Sequence, residues 1–268
     1  MLTSPIINKK YKILDKIGQG SFGFIYKGEN CRTKELVAIK VEPIQSNFKL
    51  LKNESKIYQY LVNNEGFPCV KWFGKDNCNY YMVINLLGES LQSLITRKQS
   101  FSLKLVLQIG IQIIDLLRVL HEYGFVHRDI KPENFLLGLN NKSKQIHMID
   151  FGFCKSYLID SKHIDSSQKS SNLLGTPNFA SINAHNFHEL SRRDDLESLG
   201  YMLLYFHNGG NLTWSNIHSN EMIMIMKTCL CDKEDKNILL EFLTIVRKIE
   251  FKETPDYKAL VLLLKSKL

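Results

Sequence analysis

The sequence predicts an α+β chain with a small β-rich N-terminal part and a larger, mainly helical C-terminal part. Three observations carry this. Strand-like runs crowd the first third of the 268 residues. After Gly88 apolar residues recur three or four apart, the period of a buried helical face. A short segment, Asn85-Leu86-Leu87-Gly88, joins the two parts.

Taken in order, Tyr11-Lys12-Ile13-Leu14 runs as a strand towards a glycine turn, Gly18-Gln19-Gly20-Ser21-Phe22-Gly23, and Phe24-Ile25-Tyr26 leaves it. Leu36-Val37-Ala38-Ile39-Lys40 and Tyr80-Tyr81-Met82-Val83-Ile84 are further strands, rich in β-branched and aromatic residues. Between them Phe48, Leu51, Tyr58 and Leu61 fall at near-helical spacing, so one helix interrupts the strands. In the C-terminal part Val106, Ile109, Ile113, Leu116 and Leu120 mark one long helix, and Leu196, Leu199, Leu203 and Phe206 another. No internal repeat or low-complexity tail is visible. The expected organisation is a single domain over residues 1–268, with an N-lobe over about 9–86, a C-lobe over about 87–268 and no appended regulatory domain after Leu268.

Composition narrows the class. Hydrophobic residues make up 44% and charged residues 23%, ordinary for a globular chain able to bury a core. The formal charge of +8 fits an acidic or phosphorylated partner, nucleic acid or an anionic surface, and fits equally a solvated basic surface. Lys and Arg are spread out, so a nucleic-acid partner is not expected. The six cysteines, Cys31, Cys69, Cys78, Cys154, Cys229 and Cys231, form no CxxC pair and no zinc-ligand set. With no signal peptide visible at Met1-Leu2-Thr3-Ser4-Pro5, reduced thiols and an intracellular setting are expected. Cys154 has two readings, a reactive thiol or a small packing residue. No apolar run reaches the ~18 residues of a membrane span. The nearest candidate, Leu105 to Leu120, is broken by Gln108, Gln112, Asp115 and Arg118.

The chemistry lies in the loops. His127-Arg128-Asp129-Ile130-Lys131-Pro132-Glu133-Asn134 is followed, sixteen residues after Asn134, by Asp150-Phe151-Gly152. Two carboxylates, an amide and a lysine at this spacing suit phosphoryl transfer. Asp129 is the group to accept the proton of an attacking hydroxyl, and Lys131 the cation beside the moving phosphate. Asn134 and Asp150 supply hard oxygens for magnesium. His127 and Phe151 are expected to pack and hold the loop. The glycine turn lets backbone N–H groups approach phosphate oxygens. Because Phe24-Ile25-Tyr26 after it is a strand and not a helix, the context argues against a dinucleotide-binding turn. Lys40 is then placed to hold the α- and β-phosphates of ATP, with Glu54 as the anion that fixes it. Taken singly, each of that pair would be a surface residue. Adenine is expected among Ile17, Ile25, Ala38 and Leu136, with backbone bonds from around Leu87 and with Ile84 at the border.

With these motifs in this order, the chain closely resembles the protein kinase superfamily over nearly its whole length. Within it the chain looks like the casein kinase 1 group, which includes the vaccinia-related kinases. Asn53-Glu54-Ser55-Lys56-Ile57-Tyr58, Leu86-Leu87-Gly88-Glu89-Ser90-Leu91 and Ser191-Arg192-Arg193-Asp194-Asp195-Leu196-Glu197-Ser198-Leu199-Gly200-Tyr201 carry that likeness. So does Ala180-Ser181-Ile182-Asn183, which stands where most kinases have Ala-Pro-Glu. The resemblance implies a bilobal protein kinase fold and an ATP- and magnesium-dependent serine/threonine kinase acting on protein substrates. Lys131 fits that preference, since tyrosine kinases usually lack it. Thr176 matches the threonine that bonds the catalytic Asp and Lys, and Asp195 the aspartate that braces the catalytic loop.

The chain also departs from the group. Asn178 and Ser171 replace expected cations, and Leu212-Thr213-Trp214 is followed by Ser215-Asn216-Ile217-His218 without the usual basic stretch. Arg128 and Lys155 remain as partial replacements, so acidic or phosphorylated substrates are candidates without being required. The expected activation loop, 156–172, carries Ser161, Ser166, Ser167, Ser170 and Ser171. A phosphate there could pair with Arg128; plain polar loop residues are the alternative. Two other functions stay open: a pseudokinase-like binding or allosteric module on the same fold, and a basic scaffold. The expected location is cytoplasm and/or nucleus, of a host cell if the source is viral, and the oligomeric state is left open.

Overall fold

The computed structural model describes residues 5–20, 23–46, 50–166, 171–231 and 237–268. Of the residues named above, Met1, Leu2, Thr3, Ser4, Ser21, Phe22, Phe48, Ser167 and Ser170 lie outside them. The chain divides into two compact units. One is Met1–Gly88 with Leu137–Gly152, and the other is Glu89–Leu136 with Phe153–Leu268.

The first unit is built on an antiparallel sheet. Its strands are β1 (Ile6–Ile7), β2 (Tyr11–Gly20), β3 (Gly23–Asn30), β4 (Leu36–Pro43), β5 (Val70–Lys75) and β6 (Asn79–Asn85), in the order β1-β2-β3-β4-β6-β5. Alternation in β4 sorts its two faces. Val37, Ile39 and Val41 are buried in a cluster with Ile7, Tyr11, Tyr81 and Val83, and Ala38 and Lys40 point the other way. The glycine turn is the β2–β3 hairpin, with Gly18 opposite Ile25 and Gly20 opposite Gly23. Helix α1 (Leu50–Leu61) buries Leu51, Glu54, Ile57, Tyr58 and Leu61, a single stripe at helical spacing. Its first turn is capped from β4, where the Glu42 carboxylate accepts from Leu50 N at 3.2 Å and Leu51 N at 2.7 Å.

Residues Leu137–Gly152, which follow the expected division at 86 and 87, join this unit through specific bonds. Gly88 N donates to Leu137 O at 2.8 Å and Met148 N to Gly66 O at 2.9 Å. Phe151 packs edge-on against Tyr58, with ring centroids 4.7 Å apart. The strands β1 and β5 were not anticipated. The first has two residues, and the second contains Gly74 and shows no buried-exposed alternation.

The second unit is helical. Its helices are α2 (Leu91–Lys98), α3 (Leu103–Glu122), α4 (Ile182–His185), α5 (Arg192–His207), α6 (Asn220–Thr228), α7 (Ile238–Arg247) and α8 (Tyr257–Lys265). The Ser90 and Ser102 hydroxyls accept from the third residue of α2 and α3, at 3.1 and 3.3 Å, which starts both helices. Helix α5 is buried nearly all round and packs on α3 and α7, while α3 also packs on α8. Gly110 permits that approach, since a Cβ there would lie 2.9 Å from Leu264 Cδ1 and 3.0 Å from Leu203 Cδ1. Phe125–Val126 pairs with Lys155–Ser156, which ties the loop containing Asp129 to the chain beyond Phe153. Among the described residues no helix is long and apolar enough to cross a membrane.

Candidate active site

Each unit carries one group of the expected site residues. In the first unit Lys40 Nζ lies 2.7 Å from Glu54 Oε2 and 2.7 Å from Asp150 Oδ1. The Glu54 pairing was expected; the Asp150 contact was not. Burial pushes the Lys40 ammonium towards neutrality, but the carboxylates of Asp150 and then Glu54 more than reverse this, so its pKa stands above the ordinary lysine value. Burial lifts the Glu54 carboxyl to about 7 against the pull of Lys40. Asp150 has a left-handed backbone, φ 65°, and its N–H donates to the Tyr58 hydroxyl at 3.3 Å. Phe151 is fully buried against Tyr58 and Phe67, so it packs as expected.

Ile25 lies directly opposite Lys40 across the β3–β4 pair, and Ala38 precedes Lys40 by two residues, so all three share one sheet face. Ile17 is half-exposed beside Gly18, and Leu87 follows the end of β6. The three glycines differ in what the fold asks of them. A Cβ on Gly23 would overlap the Val41 carbonyl oxygen, so that glycine is required by strand packing. At Gly18 a Cβ would make only ordinary contact with Ile25, and at Gly20 it would meet nothing within 4 Å among the described residues. Clearance of this kind at a glycine is what phosphate oxygens need to approach a backbone.

In the second unit the loop after Val126 is strung on one buried carboxylate. Asp195 accepts from His127 N at 2.7 Å, Arg128 N at 2.9 Å and His121 Nε2 at 2.9 Å. Burial alone would raise its pKa. The bond from His121 and the other donors outweigh burial and hold the carboxyl below its ordinary value. Burial also lowers the His121 pKa, which favours the neutral ring. The tautomer that fits has Nε2–H donating to Asp195 and Nδ1 accepting the Tyr257 hydroxyl proton at 2.7 Å.

On this frame Asp129 is 4% exposed and fully engaged. Its Oδ1 accepts from Thr176 Oγ1 at 2.9 Å and its Oδ2 lies 2.6 Å from Lys131 Nζ. Its carbonyl accepts from Asn134 Nδ2 at 2.8 Å, and its N–H donates to His127 Nδ1 at 3.3 Å. Arg128, with φ 70°, sends its Nε to Phe153 O at 2.7 Å. Gly175, with φ +88°, runs so close that a Cβ would lie 2.7 Å from Arg128 O. Leu136 lies at the end of this loop and bridges to Ser90.

The donor chemistry fits a hard divalent cation. In the second unit the bond from Asn134 Nδ2 leaves its amide oxygen outside that contact, and in the first unit Asp150 carries a carboxylate; each is by itself an oxygen of the kind such a cation takes. Among the described residues no group of three or more His, Cys, Asp or Glu could cage a metal. Magnesium does not need one, because it takes one or two protein oxygens plus phosphates and water.

Several neighbours of the site were not read from the sequence. Glu189 holds Lys155 at 2.7 Å, so one of the two remaining cations is already neutralised within the chain. Ser181 Oγ and Asn183 Nδ2 both donate to Asp194 Oδ1, at 2.7 and 2.9 Å, which gives the Ala180–Asn183 stretch its anchor. Lys227 is fully buried. Its one sequence signal is its place four residues after Ile223, on the buried stripe of α6. Cys154 is buried, and Cys31, Cys69, Cys78, Cys154 and Cys229 are thiols outside any disulfide.

A protein-family model, described as the protein kinase domain, matches residues 11–260. That span takes in strands β2–β6 of the first unit, both groups of site residues and helices α1–α7 entire. The chain therefore belongs to the protein kinase family.

Proposed function

We propose that the chain is an active serine/threonine protein kinase that transfers the γ-phosphate of ATP to protein hydroxyls with magnesium. The observation that carries this is the Asp129 carboxylate, held between Thr176 Oγ1 and Lys131 Nζ on a loop braced by Asp195. Asp129 orients the attacking hydroxyl and takes its proton as transfer proceeds. Lys131 neutralises charge on the moving phosphoryl group, and Lys40, oriented by Glu54, holds the α- and β-phosphates. Gly18, Gly20 and Gly23 bring backbone N–H groups to those phosphates, and Ile17, Ile25, Ala38, Leu87 and Leu136 are the proposed adenine residues. Asn134 and Asp150 are the proposed magnesium ligands. The bound cation would draw negative charge from the phosphate oxygens.

Assignment to the casein kinase 1 group rests on the Ala180–Asn183 and Ser191–Tyr201 stretches. Its support is that Ser181 and Asn183 have a defined task, both bonding Asp194. Acidic protein substrates fit the overall +8 charge, but the Lys155–Glu189 pair argues against a strict need for a phosphorylated one. Thiols and ATP use favour an intracellular setting. The test is γ-phosphate transfer with magnesium to mixed Ser, Thr and Tyr peptides, followed by identification of the phosphorylated residue. Phosphoserine or phosphothreonine is the expected product. Phosphotyrosine alone, or nucleotide binding with no transfer to any peptide, overturns the proposal.

A further inference from the structure

Lys227 is 0% exposed, and among the described residues its ammonium bonds carbonyls and meets a histidine and two rings rather than pairing with a carboxylate. Its Nζ donates to Pro177 O at 2.8 Å and to Ala180 O at 2.7 Å, and lies 3.2 Å from His185 Nε2. The rings of Tyr201 and Trp214 flank it, with centroids at 4.5 and 5.5 Å. Trp214 adds a third bond to the same strip, from Nε1 to Asn178 O at 3.0 Å. Three carbonyls of residues 177–180 are thus held by two buried side chains.

The strip is one closed turn. Phe179 N and Ala180 N both donate to Thr176 O at 2.9 Å. The hydroxyl of the same Thr176 donates to Asp129 Oδ1 at 2.9 Å. A chain of short contacts therefore runs from Lys227 through the 176–180 turn to the Asp129 carboxylate. Enclosing an ammonium costs stability, and an apolar side chain of similar length would fill the space without that cost. Burial brings the Lys227 pKa down to about 7, with Glu197 opposing and Arg247 adding to the fall, so the cost is visible. What an apolar residue would lack is the hold on two carbonyls.

We propose that Lys227 is a positioning residue for phosphoryl transfer, fixing the 176–180 turn so that the Thr176 hydroxyl meets Asp129. This rests on Asp129 accepting the substrate proton, as proposed above. The test uses the full chain with Lys227→Met, Thr176→Val and the double variant, reading kcat and the KM for ATP and for peptide. Each single variant should lower kcat by about 10- to 100-fold, as a small misplacement near reacting groups does, with KM for ATP unchanged. The double variant should be no slower than Thr176→Val, because both changes act on one contact. A merely weakened fold would instead multiply the two losses. Trp214→Phe, which keeps the ring and removes the bond to Asn178, should cost kcat a smaller factor of about 2 to 5, the equivalent of one ordinary hydrogen bond. If Lys227→Met does not fold, Lys227→Gln, whose amide can reach one carbonyl, takes its place in the same cycle. Parental kcat in the Lys227 variant, or losses that multiply in the double variant, overturn the inference. A parent with no transfer at all overturns the kinase proposal, and this inference with it.

Discussion

Replacing Asp195 by alanine removes one acceptor on which three donors converge. His127 N, Arg128 N and His121 Nε2 bond it at 2.7, 2.9 and 2.9 Å, and Asp195 is 1% exposed, so water cannot readily take its place. A hydrogen bond to a charged group is worth about 1.5–3 kcal/mol, and an unmet buried donor costs about 1–3 kcal/mol. Relief from burying a carboxylate returns part of this. The net loss is about 4 kcal/mol, which at ~2–4 °C per kcal/mol lowers Tm by on the order of 10 °C. Asp195→Asn keeps one acceptor oxygen but turns an NH2 towards a donor, so it should fall between parent and alanine. Since the two peptide N–H groups belong to the residues just before Asp129, kcat should fall in the same rank order. The folded Asp195 pKa is depressed, so its contribution is present above the unfolded value near 3.8 and is lost as pH falls through the folded value. The gap in Tm between parent and Asp195→Ala should therefore close in acid. The assay is thermal unfolding by circular dichroism from pH 3 to 8, beside steady-state kinetics. An alanine variant that melts with the parent at pH 7, or a gap that widens in acid, refutes the bracing role.

Glu54 behaves in the opposite sense. Burial raises its pKa to about 7, so its contribution is fullest below the ordinary 4.5 and is lost as pH rises through 7. Glu54→Gln should flatten the stability profile over that window and melt no lower than the parent at pH 8, while transfer falls by about 10-fold or more because Lys40 keeps Asp150 alone. A large drop in Tm at pH 8 contradicts this. Glu189→Gln should release Lys155 and raise kcat/KM for a phosphoserine-containing peptide, relative to the same peptide without phosphate, by several-fold, with the gain fading in high salt. An unchanged ratio removes Glu189 from substrate choice.

The elements legible in the sequence were those with a strong period. Val106 to Leu120 and Leu196 to Phe206 fall inside α3 and α5, because long buried faces repeat every three or four residues. Strands around Lys40 and Tyr81 were legible through β-branched and aromatic runs. Short elements such as β1 and α4 leave too few residues for any period to show. In the candidate site, the Lys40–Glu54 pair and the Thr176–Asp129 bond lie where the sequence motifs expect them. Glu189 and Lys227 were not legible. Their partners lie 34 and 42–50 residues away, and a single charged residue does not announce a distant contact. Asp150 was read for metal alone, and its carboxylate also pairs with Lys40.

The central claim is that Asp129 accepts the proton of a protein hydroxyl during phosphoryl transfer. Its most direct test is γ-phosphate transfer by the parent and by Asp129→Asn, with nucleotide binding measured on both. The parent should phosphorylate serine or threonine, and the variant should lose about 10²- to 10⁴-fold in kcat while binding ATP much as before. An Asp129→Asn variant that transfers phosphate as well as the parent contradicts the account.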